Sequence, residues 1–381
     1  MEKDKNELAK ARQILDDFAD RTGIPGEGGN TQKRYLWTDA FAVQAFFGLS
    51  HIYPESNYRE LALRLIKEVH KYLGRYRPDD DREGWISGLS EKKGQQHPTI
   101  GGLRIGKQLP ERKDDEDFNH RLEWERDGQY FHYLTRWGNA LLQAAKETGE
   151  ERYASWAAEL CEAGAKFVDK TNGIINMYWK MNTDLSEALV ESMGAHDPME
   201  GYICTQSARM HAPEKSAGLA GIAKDFEVLC AGMKWDTSDA LGIGGLLLNT
   251  ARAAEMTLHG QALPDSLRPD KLFKESLKSL NIYAATIHDP QADAQRRLAF
   301  RECGLSLGIN VLGGLKEKYR RLDLPLDEVD NFLPMAREIE QFWLHAENRL
   351  ASSWSDHPDI NAVTLGCSII AREQPAVFAL A

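Results

Sequence analysis

The chain has 381 residues, 42% of them hydrophobic, with 58 acidic residues against 47 basic ones and a formal net charge of −11. That balance argues against a nucleic-acid partner, whose phosphates call for a basic face. No apolar run approaches the ~20 residues of a membrane-spanning helix. The opening MEKDKNELAKARQ is charged from its second residue and lacks the apolar stretch of a signal peptide, so a cytoplasmic protein with no membrane partner is expected.

Helical periodicity dominates from end to end, and runs of alternating β-branched residues are nearly absent. About twelve helical segments are predicted, in two kinds. Segments near 5–19, 57–73, 150–169, 214–233, 270–287 and 327–346 are amphipathic. In 57–73, Leu61, Leu65, Val69 and Leu73 recur every fourth residue while Arg59, Glu60, Arg64, Lys67 and Lys71 lie elsewhere, which describes a helix with one face in water. Segments near 38–53, 129–148, 183–191, 238–258, 296–313 and 360–371 are apolar nearly all round, rich in Ala, Gly and Leu, and so are expected to be buried on most sides. The two kinds alternate along the chain. An inner ring of helices walled by an outer ring requires that order, so the expected fold is all-α, an (α/α)6 toroid forming a single domain over 1–381. A solenoid of helix pairs shows the same alternation, but no fixed repeat length or capping repeat is found. The long connections 20–37, 74–128, 170–182 and 347–359 precede inner helices. Long irregular loops in a compact domain are usually functional. The segment 192–213 is long where this scheme wants a short connection, and 234–237 is short where it wants a long one.

Three inner segments start alike: Trp37-Thr38-Asp39-Ala40, Trp235-Asp236-Thr237-Ser238-Asp239-Ala240, and Trp354-Ser355-Asp356 leading to Asp359-Ile360-Asn361-Ala362. Thr, Ser and Asp at such points cap a first turn by accepting backbone N–H bonds. In a toroid these starts share one rim, so each cap is also a rim residue.

The densest polar stretch runs from Trp124 to Trp137. A helix starting near Gly128 places Gln129, His132, Tyr133 and Arg136 on adjacent faces, a polar stripe on an otherwise apolar helix. Asp39, Asp127, Asp236, Asp239 and Asp359 supply carboxylates at helix starts, and glycoside cleavage needs two carboxyl groups across the scissile bond. His357 lies at the mouth of the last inner helix, His196 in Gly194-Ala195-His196-Asp197-Pro198-Met199-Glu200-Gly201, and His288 beside Asp289-Pro290. Histidines on one rim suit proton transfer at neutral pH, although each is also an ordinary turn residue. Arg301-Glu302 is a charged pair in an apolar helix, read either as a buried ion pair or as charges facing a ligand.

Of nine Trp residues, Trp37, Trp85, Trp124, Trp137, Trp179, Trp235 and Trp354 fall near the expected rim, where indole rings stack on sugar faces. The acidic runs Asp79-Asp80-Asp81-Arg82-Glu83 and Asp114-Asp115-Glu116-Asp117 read as solvated loop rather than metal motifs. Gly101-Gly102-Leu103-Arg104-Ile105-Gly106 lacks the strand and the Gly-Lys-Ser/Thr of a phosphate loop. Five scattered Cys, with no Cys-x-x-Cys pair, fit buried reduced thiols. No metal is expected, and no cofactor is demanded.

Trp37-Thr38-Asp39-Ala40-Phe41-Ala42, Asp127-Gly128-Gln129-Tyr130-Phe131-His132-Tyr133 with Trp137, and His357-Pro358-Asp359-Ile360-Asn361 resemble the six-hairpin glycosidase-like superfamily, in particular its uncharacterised prokaryotic members. The resemblance extends over the whole chain by its hairpin pattern. It implies the (α/α)6 toroid and sugar chemistry, since the superfamily includes hydrolases acting through paired acidic residues and a similar toroid serves sugar epimerases and polysaccharide lyases. Three readings stay open. The first is hydrolysis of a small or uronic-acid-containing oligosaccharide, with Asp39 and Asp127 as acid and base and Trp37, Trp137 and Trp235 as stacking platform. The second is proton abstraction by His132 or His357 in an epimerase or lyase, with Arg301 nearby. The third is a carbohydrate-binding protein without catalysis. Tyr133, Asp239, Glu302, Asp359 and Asn361 complete the expected ligand-binding set, and a small carbohydrate is the expected partner.

Overall fold

A computed structural model describes residues 2–24, 34–113 and 116–380. The chain is predominantly helical, as its periodicity predicts. The amphipathic helices are α1 (Glu2–Arg21), α3 (Tyr58–Leu73), α7 (Glu151–Gly164), α9 (Ser216–Cys230), α11 (Pro269–Thr286) and α13 (Leu333–Leu344). The largely buried ones are α2 (Leu36–Ile52), α6 (Phe131–Thr148), α8 (Asp197–His211), α10 (Ala240–Leu258), α12 (Ala299–Tyr319) and α15 (Pro358–Ala371). Short helices α4 (Glu91–Gln96), α5 (His120–Glu125) and α14 (Ser352–Ser355) fall in the connections. No helix of the described residues is long and apolar enough to cross a membrane.

One predicted helix is absent. Segment 183–191 is a turn followed by strand β5 (Ala188–Val190), and the buried helix of that pair is α8, a more polar helix inside the stretch read as a loop. The physical reason lies in two local features. Asn182 accepts from the backbone of Ser186 and Glu187 and closes a turn there, while Pro198 pre-sets the first turn of α8. With α8 in place, half-exposed and largely buried helices alternate regularly among the described residues.

Small strands brace the connections. β1 (Gln129–Tyr130), β4 (Lys180–Met181) and β5 form an antiparallel sheet in the order β1-β4-β5, with Gln129 opposite Met181 and Lys180 opposite Val190. β2 (Val168–Asp169) and β3 (Asn176–Met177) form a second antiparallel pair.

The described residues gather into two compact units. One comprises residues 1–21, 44–59 and 232–381, and the other comprises residues 22–43 and 60–231. In the first unit α12 packs against α10, α13 and α15, with α11 on α10 and α1 on α15. A buried polar network joins four of these helices. Glu340 of α13 accepts from Asn310 of α12 at 2.7 Å and from Ser368 of α15 at 2.5 Å, and Arg372 bridges it to Glu7 of α1. In the second unit α6 packs on α7 and α8, and α8 packs on α9. Its core includes Trp137, whose indole Nε1 donates to His70 Nε2 at 3.0 Å.

The α10–α12 seam is set by missing side chains. A methyl on Gly244 would overlap the carbonyl oxygen of Gly304, and one on Gly308 would lie 2.6 Å from the oxygen of Gly244. Backbone meets backbone here, so volume cannot be added without moving a helix. Gly244→Ala is expected to destabilise the chain by roughly 1–3 kcal/mol. Gly221→Ala, at an open position of α9 with no atom within 4 Å, is expected to be neutral or to stabilise by up to about 1 kcal/mol. Urea unfolding of both variants checks this, and a Gly244→Ala protein as stable as the parent would refute the seam.

Candidate functional site

The long connection 74–130, in the second unit, is anchored by one carboxylate. Asp127 is fully buried, and its Oδ2 accepts from Arg104 Nη1 at 2.5 Å. Its Oδ1 accepts from the backbone of Gly106 at 3.0 Å and Lys107 at 3.3 Å, and Arg77 stands 3.7 Å away. Arg104 spends its other donors on the carbonyls of Arg75 and Tyr72. Gln129 continues the clamp, accepting from Leu103 N and donating to the carbonyls of Gly101 and Thr183. Asp127 and Gln129 are thus consumed by the protein. The expected acid or base role of Asp127 is corrected to a structural one, because its lone pairs are occupied and no surface is open to a substrate. Asp39 is also buried, within the first turn of α2, accepting from Tyr35 N at 3.2 Å with Arg34 at 3.6 Å.

Beside this anchor six aromatic and imidazole rings converge at the start of α6. His132 stacks on Tyr130 at 5.4 Å and meets Tyr133 edge-on at 4.7 Å and Trp179 at 6.0 Å. Trp124 crosses Trp179 at 5.3 Å, and the Tyr35 and Tyr133 hydroxyls share a hydrogen bond of 2.7 Å. Burial pushes the His132 imidazole down to about 4, with Glu200 acting in the opposite sense, so the ring is neutral at physiological pH. Among the described residues its Nδ1 is buried without a hydrogen-bond partner.

One turn along α6, Arg136 forms an ion pair with Glu200 of α8, and Thr135 donates to the same carboxylate at 3.1 Å. Asp197, three residues before Glu200, accepts from Gly194 N at 3.1 Å. Burial, and secondarily the charge of Glu200, push its carboxyl up to about 8. The site therefore combines a neutral imidazole, a guanidinium–carboxylate pair and a carboxyl that keeps its proton at neutral pH. Lys180, buried behind Tyr130, donates to the carbonyls of Glu123 and Arg126, and burial lowers it to about 8.

The structure sorts the expected residues by neighbourhood. Of the four residues of the expected stripe, His132, Tyr133 and Arg136 lie on α6, whereas Gln129 lies in β1 because the helix starts at Phe131 rather than near Gly128. Trp37, Trp137 and Trp235 are core residues at 5%, 0% and 2% exposure, so the expected stacking platform is corrected: these indoles fill helix packing, and Trp124 and Trp179 supply the rings near His132. In the first unit Asp239 caps α10 through Gly242 N and pairs with Arg301, while Glu302 pairs with Arg297 and accepts from Trp343 Nε1. The Arg301-Glu302 dipeptide thus faces two different partners. Asn361 is fully buried, accepting from Phe300 N and donating to the carbonyls of Ser353 and Trp354, which makes it a latch rather than a ligand group. Asp359 pairs with Arg21, and His357 is an exposed residue just before α15 that does not cap it. Asp114 and Asp115 of the second acidic run lie outside the described residues. Among those residues no group of three or more His, Cys, Asp or Glu could hold a metal ion.

Sequence reasoning passed over Asp197 and Glu200 as a pair. The available signal was Asp197-Pro198, a helix start with Glu200 one turn in. No family model matches the chain, and no curated protein matches it in sequence.

The Asp197 proton has a measurable consequence. Between pH 6.5 and 8 the folded chain holds a proton that an unfolded aspartate has released, so stability falls as pH rises through that window. His132 and His70, lowered by burial to about 4 and about 3, act only on acidification below about 6.5, and Lys180 acts above the window. Asp197 is 4% exposed, so the change is expected to reach about 2 kcal/mol. Asp197→Asn should flatten it. Denaturant unfolding at pH 6.5, 7.2 and 8 reads the slope, and an unchanged slope in the variant would rule out Asp197 as its source.

Proposed function

We propose that the chain is a carbohydrate-active enzyme whose six helix pairs close into an (α/α)6 toroid, and that it performs general acid–base proton transfer on a small sugar with His132 as the base. The regular alternation of half-exposed and largely buried helices among the described residues supports the toroid. The observation that carries the chemistry is the neutral His132 imidazole, enclosed by Tyr130, Tyr133 and Trp179 and one turn from Arg136. Aromatic faces suit the C–H faces of a sugar ring, and a neutral imidazole is the form that accepts a proton. Arg136 is placed to stabilise negative charge on an adjacent substrate oxygen. That developing charge in turn raises the affinity of His132 for the proton. Proton abstraction beside a sugar carbonyl or carboxylate leads to epimerisation, isomerisation or elimination. Five buried free cysteines accord with a reducing, cytoplasmic setting.

Hydrolysis of a glycosidic bond is the second reading, favoured by Asp197. A carboxyl that retains its proton near a carboxylate already in an ion pair is the asymmetry that an acid and its partner need. In that reading Asp197 and Glu200 replace Asp39 and Asp127.

Incubation of reducing sugars, uronates and glycosides in D2O separates the two. Deuterium next to the carbonyl or carboxylate of the recovered sugar is expected, reduced roughly 10²-fold or more in His132→Gln. Glycoside cleavage without deuterium uptake would transfer the assignment to the hydrolytic reading. Binding with neither reaction would leave a protein that recognises sugar without transforming it.

A further inference from the structure

The first unit contains a cavity of about 440 Å³ between the starts of α10 and α12 and the end of α11. Its walls carry Asp239, Tyr283, Asp289, Arg296, Arg297 and Arg301, a concentration of guanidinium groups that the proton-transfer chemistry does not use.

The cavity is balanced in charge but not in hydrogen bonding. Asp239 is occupied by the α10 backbone and Arg301, and Asp289 accepts from Gln291 N. Glu302, also in the wall, is held by Arg297 Nε at 3.0 Å and by the Trp343 indole at 2.9 Å. Glu302 is therefore spent inside the protein, while Asp239 and the exposed Asp289 keep part of their acceptor capacity. Donors remain, because each guanidinium carries five N–H groups. Arg297 is 4% exposed, lies 3.9 Å over the ring of Phe342, and has Nη1 buried with no acceptor. Arg296 is exposed, with no ion-pair partner among the described residues. The N-cap position of α12 is Leu298, which supplies no side-chain oxygen, and Asn361 takes over the cap by accepting from Phe300 N.

A buried guanidinium fixed by one carboxylate and one aromatic ring, beside a second, exposed guanidinium, presents donors to an oxyanion. Around it, the partly exposed carboxylate of Asp239 and the hydroxyl of Tyr283 suit alcohol groups. We infer that this cavity binds a small hydroxylated oxyanion, a sugar acid or a sugar phosphate, with Arg296 and Arg297 receiving the anionic group. The inference stands on these residues alone and does not depend on the role of His132.

Calorimetric titration of the full chain with D-glucuronate, D-glucose 6-phosphate and D-glucose tests it. At least one anionic probe is expected to bind at least tenfold more tightly than glucose, and Arg296→Gln, at an exposed position that should not disturb folding, is expected to weaken it at least tenfold. Glucuronate binding alone would assign a carboxylate ligand, and glucose 6-phosphate binding alone a phosphate. Equal affinity for glucose, no binding of either anion at millimolar concentration, or an Arg296→Gln protein that binds undiminished would overturn the proposal.

Discussion

The buried Arg104–Asp127 pair is the constraint on which the architecture of the second unit depends. Among its described residues, a connection of more than fifty residues, 74–130, has two short α-helices, α4 and α5, and ends in the short strand β1. It is fixed because one carboxylate gathers Arg104, Gly106 and Lys107 around itself, and Arg104 passes the constraint on to the carbonyls of Tyr72 and Arg75 at the end of α3. Burying such charges carries a large desolvation cost, which is recovered only when nearly every donor and acceptor is matched. Here they are matched, and Gln129 extends the clamp to Thr183. The rings around His132 are held by the next residues of the same chain.

Both polar regions lie at helix starts. Asp197 opens α8, His132 lies in the first turn of α6, Asp239 caps α10, and Arg301 lies in the first turn of α12. Free backbone N–H groups and the positive end of the helix dipole concentrate there, so these positions attract carboxylates and can be tuned by them. The same geometry yields opposite outcomes according to burial. Asp239, half open to water, pairs and caps as a surface carboxylate does. Asp197, shut in under Gly194, keeps its proton.

The helix pattern was legible in the sequence because burial of one face leaves a period, as in Leu61, Leu65, Val69 and Leu73. It failed at 183–191, where Asn182 turns the chain through side-chain bonds that no hydrophobic period records. The polar stripe of α6 was legible for His132, Tyr133 and Arg136, since all three follow helical spacing. What each residue does was not legible. Asp127 and Asp197 look alike in sequence, and only partners 20 or more residues away separate an anchor held by Arg104 and backbone N–H groups from a carboxyl that burial and Glu200 keep protonated. Trp37, Trp137 and Trp235 show the same limit. An indole near a helix start can face solvent or core, and the choice depends on neighbours such as His70 and Ser266.

The anchoring of 74–130 also bears on what happens when the chain is cut. Its exposed stretch around Glu83 offers a protease an accessible backbone, yet the residues on either side are joined through Arg104, Asp127 and the carbonyls of α3. A single nick there severs the covalent thread but not the buried charge pair that organises the segment. The two fragments would remain one particle in native buffer and separate only when unfolding exposes that pair to water. For this chain, continuity of the polypeptide and continuity of the structure are separate properties.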